Sequence, residues 1–144
     1  MSQDRSRTTH IDIDAPADRV FAIMADVERW PEWTASITSV QRLEPGPLRP
    51  GARARIRQPK LPPALWTVTE LADGRRFTWQ SVAPGLRVVA HHVAEPVATG
   101  TRATLTVEFH GPLGGLWRAL SGGITQRYIE LEAAGLKARA EGRI

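Results

Sequence analysis

Between residues 52 and 110 polar and apolar residues take turns, and the alternation is cut at short intervals by proline, glycine or Asp-Gly. Period-two patterning of this kind describes strands with one face in a core and one in water. Turns this short can join only antiparallel neighbours. ARARIRQ (52–58) sets Ala52, Ala54 and Ile56 against Arg53, Arg55 and Arg57. QPKLPPAL then interrupts pairing, because proline nitrogens donate nothing to a ladder. LWTVTEL (65–71), the Asp-Gly turn ADGR (72–75) and RFTWQSV (76–82) form a hairpin. RVVAHHVAE (87–95) and TRATLTVEFH (101–110) continue the series, the latter with Ala103, Leu105, Val107 and Phe109 on one face. HIDID (10–14) and SITSVQRL (36–43) bring the total to about seven strands.

Helical spacing appears only at the two ends. In APADRVFAIMADVERW, Pro16 suits the first helical position and Asp18 complements the helix dipole. Val20, Phe21, Met24 and Val27 recur on one side, and Pro31 is expected to end the run and push Trp30 towards an extended backbone. Residues 112–141 read as a long helix whose stripe holds Leu113, Leu116, Trp117, Leu120, Ile124, Tyr128, Leu131, Gly135 and Ala138, with Arg118, Gln126, Glu130, Glu132 and Lys137 mostly elsewhere. Such a helix is roughly 40 Å long, whereas a nine-residue strand spans about 30 Å. A twisted sheet must curl around it. A curled sheet and a straight rod do not meet flush, so the sequence predicts a hollow lined by apolar side chains, as small-molecule sites are. The fold class is α+β: a curved antiparallel sheet wrapped around a long C-terminal helix, with two short helices after the first strand.

At 144 residues the chain is one domain, 9–144, with residues 1–8 as a flexible tail. It has no cysteine, no apolar N-terminal run and no stretch able to span a bilayer, which points to a cytoplasmic protein. The net charge is +4, but the arginines are spread along the chain, and Arg53, Arg55 and Arg57 have no neighbouring aromatics on which bases could stack. A solvated sheet face accounts for them better than a nucleic-acid groove, so no nucleic-acid partner is expected.

IDIDAPADRVFAIMADVERWPEW, then RRFTWQSVAPGLRVVAHHVAEPVATGTRATLTVEF, then the terminal helix, together resemble the START-like superfamily. That superfamily includes polyketide cyclase/dehydrase and lipid-transport proteins and the birch pollen allergen. The resemblance runs over nearly the whole chain and implies a helix-grip fold with a deep cavity under the C-terminal helix. It implies a small apolar or aromatic ligand, without saying which, and leaves activity open.

Three functions stand side by side: binding or transport of a hydrophobic molecule; a cofactor-free polyketide cyclase or dehydratase; and a protein-partner module, as in the chaperone-activator branch. In 86–95, Leu86, Val88, Ala90, His92 and Ala94 share the face assigned inward, which puts His92 in the cavity and His91 outside, although a slip of one residue would exchange them. His92 is the candidate acid or base, with Tyr128 as its helper. The expected ligand-binding wall comprises Trp33, Ile56, Trp66, Val68, Trp79, Val88, Ala90, His92, Leu105, Val107, Trp117, Leu120, Ile124 and Tyr128. Trp30 and Trp33 of DVERWPEW (26–33) should close one end of the curled sheet. No metal is expected, since adjacent His91 and His92 diverge on a strand and His10 and His110 lack partners at ligand spacing. GPLGG (111–115) lacks the lysine and hydroxyl of a phosphate loop and reads as a turn into the helix. Gly122-Gly123 is either a bend, a gate or a break in the helix.

Overall fold

The computed structural model describes residues 6–144. Seven strands make one antiparallel sheet: β1 (Ser6–Ile13), β2 (Ser39–Arg42), β3 (Arg53–Arg57), β4 (Ala64–Ala72), β5 (Arg76–Ala83), β6 (Leu86–Val97) and β7 (Gly100–His110). Their spatial order is β1-β7-β6-β5-β4-β3-β2, so the first strand closes beside the last and β2 forms the other edge. Helix α1 (Ala17–Ala25) and a 3₁₀ helix (Val27–Glu32) connect β1 to β2, and α2 (Gly114–Ala140) follows β7.

Strand β1 begins earlier than expected. Residues 1–5 lie outside the described residues, but Ser6, Arg7 and Thr8 already pair with Glu108, Val107 and Thr106. The strand expected over 36–43 shrinks to four residues, because Ser36 and Ile37 are buried in the loop ahead of it. Proline placement also differs. Pro16 is the N-cap of α1, and its carbonyl accepts from Val20 N–H at 3.1 Å. Helix α1 stops at Ala25, and Pro31 sits inside the 3₁₀ helix instead of ending an α-helix. The tighter turn accommodates it: the Trp30 carbonyl accepts from both Trp33 N–H and Thr34 N–H at 3.0 Å.

A bulge bends the sheet. Val68 opposes Trp79 but Glu70 opposes Thr78, so β4 carries one extra residue and turns more sharply there. The solid core lies where β1, α1, the 3₁₀ helix and the C-terminal half of α2 converge on the sheet. Val20, Met24, Val27, Phe77, Ala94 and Leu136 are buried there.

DVERWPEW binds this core to the helix. Trp30 is 3% exposed, donates its indole N–H to the Met24 carbonyl at 3.0 Å, and packs its ring against Trp33, Phe77, Trp79 and His92. The two helical segments therefore carry one aromatic cluster into the sheet. Trp33 lies against α2 at Gly135, where an added Cβ would collide with the Trp33 carbonyl oxygen. Glycine is required there for close approach, not for backbone conformation.

Helix α2 runs unbroken through Gly122-Gly123, so the pair marks no break. Gly122 packs against the Arg7 guanidinium, with 2.9 Å left for a Cβ. The buried face differs from the expected stripe. Ser121, Tyr128, Ile129, Glu132, Ala133, Leu136 and Ala140 turn inward, while Leu116, Leu120 and Leu131 are 58%, 71% and 37% exposed. No described helix is long and apolar enough to cross a membrane.

Candidate functional site

The N-terminal half of α2 touches the sheet at β1, where Gly122 meets Arg7, and stands off the strands beyond it. Between them lies a cavity of about 590 Å³, within the roughly 300–1,000 Å³ of small-molecule sites. Strands β3 to β7 form its floor and far wall, α2 its roof, and the Leu61-Pro62-Pro63 loop one side. Its mouth is apolar: Leu65, Val82, Leu113, Leu116 and Leu120 line the cavity and are also exposed. These side chains stay in water because the hollow beneath gives them no wall to pack on.

Of the residues expected on the wall, Ile56, Trp66, Trp79, Val88, Ala90, His92, Leu105, Val107, Trp117, Leu120 and Tyr128 line the cavity. Trp33, Val68 and Ile124 do not. Trp33 is turned against α2, and Trp30 takes its place in the wall. Val68 faces inward opposite Trp79, but at 2% exposed it is covered within the packed core. Ile124 is displaced because Ser121, Thr125 and Tyr128 hold the inward face of α2.

His92 points inward and His91 lies on the opposite face, as the alternation predicts. The His92 ring stacks on Phe77 with centroids 4.2 Å apart and planes 9° from parallel. Burial lowers its pKa to about 3, and a backbone hydrogen bond to Phe77 offsets only part of this. Its Nδ1 has no hydrogen-bond partner among the described residues. His92 is therefore neutral near pH 7, which makes it a weak base and no acid. Tyr128 lines the cavity too, but its hydroxyl donates to the Pro59 carbonyl and anchors the proline loop.

The group missed in the sequence is Glu132. It is 8% exposed and lines the cavity. Its Oε2 accepts from Ser36 Oγ at 3.3 Å, and Thr34 Oγ1 lies 2.7 Å behind Ser36 Oγ. With the Ser36 proton directed at Glu132, Thr34 is the donor of the second pair. Burial raises the Glu132 carboxyl to about 7, and the Ser36 hydrogen bond reverses only part of that rise. A signal was present: Glu132 stands four residues after Tyr128, hence on the same helix face. The expected stripe passed through Leu131 and Gly135 instead, because it treated an acidic residue as outward-facing.

On the opposite face of the sheet, Glu108 lies between two histidines, 3.2 Å from His91 Nε2 and 2.9 Å from His110 Nε2. His110 thus has a carboxylate partner that its sequence spacing did not suggest. No group of three such side chains suited to a metal occurs among the described residues. Gly111 turns back on Gly85, whose carbonyl accepts from Leu113 N–H at 2.8 Å, so GPLGG is a turn into α2. Arg53, Arg55 and Arg57 are exposed, and Arg53 pairs with Glu44 at 2.8 Å.

Residues 5–141 match the family model described as polyketide cyclase / dehydrase and lipid transport. No curated protein matches the sequence. Among solved structures, TTHA0849 from Thermus thermophilus is similar at 24% identity and TM-score 0.77, over 94% of this chain and 96% of that one. The Zhui aromatase/cyclase from Streptomyces sp. R1128 is similar at 20% identity and TM-score 0.76, over 96% and 94%. Ara h 8.0201 is similar at 14% identity and TM-score 0.70, over 94% and 96%. At these identities the likeness is one of fold, and it is the helix-grip fold.

Proposed function

Because the chain belongs to the polyketide cyclase/dehydrase and lipid transport family, we propose that it binds a small hydrophobic or aromatic molecule between its sheet and α2. One observation carries this reading: a cavity of about 590 Å³ stands where a packed interior would otherwise be. Leaving apolar walls uncovered costs stability, because buried apolar area contributes roughly 25 cal/mol per Å². A guest restores that contribution. A partner-binding module has no need of such a hollow.

Titration with the uncharged fluorophore N-phenyl-1-naphthylamine tests the reading. Saturable one-to-one binding is expected. Val88→Trp, which fills the wall from β6, should abolish it while leaving the far-UV circular dichroism unchanged. Equal binding by both proteins would refute a guest site in this cavity.

A second reading, a cofactor-free cyclase or dehydratase, is supported by Glu132, whose carboxyl near 7 suits it to both accept and donate a proton at neutral pH. In that reading Glu132, not His92, exchanges the proton, and the walls hold the substrate in its reactive shape.

A further inference from the structure

The cavity has a one-sided electrostatic character. The chain carries 19 lysines and arginines, yet none lines the cavity among the described residues. Three ionisable side chains face it: Glu132, His92 and Tyr128. Around Glu132, the 34–37 segment contributes the uncharged Thr34 and Ser36, β3 leads into the uncharged Gln58, β6 contributes neutral His92, and α2 contributes Tyr128, whose proton is held by Pro59. Only burial and the Ser36 hydrogen bond act on the Glu132 carboxyl; among the described residues no cationic side chain offsets its charge. Trp30, Trp66 and Trp79 line the same space, Trp30 and Trp79 mostly packed against one another and against Phe77 and His92. A buried carboxylate with no cation beside it attracts one by charge.

We propose that Glu132 makes this cavity selective for a guest with an apolar body and a protonated amine head, and that it excludes fatty acids and other organic anions. The inference rests on the reading that the cavity holds a guest. An anion entering here would meet a like charge with no cation to offset it, so the cavity repels it. A protonated amine would give the Glu132 carboxylate its missing counter-ion, with Ser36 and Thr34 holding the carboxylate from behind. At neutral pH the buried carboxyl is balanced between its two forms, and the arriving cation draws it to the charged one.

Displacement of N-phenyl-1-naphthylamine by dodecylamine, dodecanol and dodecanoate tests this on the full chain. At pH 8 dodecylamine should bind about tenfold or more tightly than dodecanol, and dodecanoate more weakly than either. The amine's affinity should fall roughly tenfold from pH 8 to pH 6 as the carboxylate is protonated, while the alcohol's stays level. E132Q should abolish the amine's advantage over dodecanol at pH 8. The inference is overturned if dodecanoate matches dodecylamine, if the alcohol matches the amine at pH 8, or if wild-type amine binding is flat with pH. Any of those results with the neutral probe still bound leaves the guest reading standing. Failure of the neutral probe and of all three ligands to bind overturns both.

Discussion

Glu132→Gln should make the protein more stable at pH 8 and leave it nearly unchanged at pH 4. The carboxyl titrates at about 7 in the fold against an ordinary 4.5. At roughly 1.4 kcal/mol per pKa unit this difference amounts to about 3 kcal/mol. Below pH 4.5 both folded and unfolded chains hold the proton, and the native state is at its most favoured with respect to this group. Between 4.5 and about 7 the unfolded chain releases the proton first, so stability falls as pH rises. Above that, both are ionised and the loss is complete. Glutamine stays neutral throughout and keeps an oxygen for the Ser36 hydroxyl. His92 works in the opposite sense: with a folded pKa of about 3 against 6.5, its contribution is complete above 6.5 and is lost as pH falls towards 3. The two slopes oppose each other from pH 4.5 to 6.5, so the wild-type profile is flattened there and the variant's rises uncovered. The assay is urea denaturation from pH 4 to 9 for both proteins. The variant's advantage should grow by about 3 kcal/mol between pH 4 and pH 8, equivalent to a melting temperature roughly 6–12 °C higher at about 2–4 °C per kcal/mol. Any fixed effect of the amide cancels in that difference. A pH-independent difference would refute the argument that Glu132 sits desolvated and without a counter-ion.

Gly135→Ala should destabilise by roughly 2–4 kcal/mol in urea denaturation, since its Cβ collides with the Trp33 carbonyl and α2 must move off the 3₁₀ helix; a change under about 0.5 kcal/mol would contradict that contact. Tyr128→Phe should cost about 1 kcal/mol and speed amide exchange in residues 58–63, because the hydroxyl that holds the Pro59 carbonyl is gone; unchanged exchange there would show that the loop keeps its place without Tyr128.

Strands were the most legible part of the chain. β5, β6 and β7 are each bounded by glycine or Asp-Gly turns, and charged Arg87 and Glu95 mark the outer face of β6, so His92 could be assigned inward from its neighbours. Val68 faces inward as alternation predicts, opposite Trp79, but it is covered within the packed core and so does not reach the cavity. The long helix was harder to read. A stripe drawn through apolar residues assumes that apolar means buried, and above a hollow that assumption fails. Leu116 and Leu120 sit at an open rim, while Ser121 and Glu132 face inward, so the burial pattern of α2 does not follow its apolar spacing.

Local patterning alone determined the seven antiparallel strands, the terminal helix and the mismatch in shape between them, because periodicity and chain breakers act within a few residues of themselves. Which face of α2 turns inward was decided only in the tertiary structure. There Gly135 lets the helix close onto Trp33, and Glu132, one turn earlier on α2, lines the cavity. A carboxylate's pKa depends on the water it loses and on the charges gathered around it from distant parts of the chain, and neither quantity exists until those parts have met.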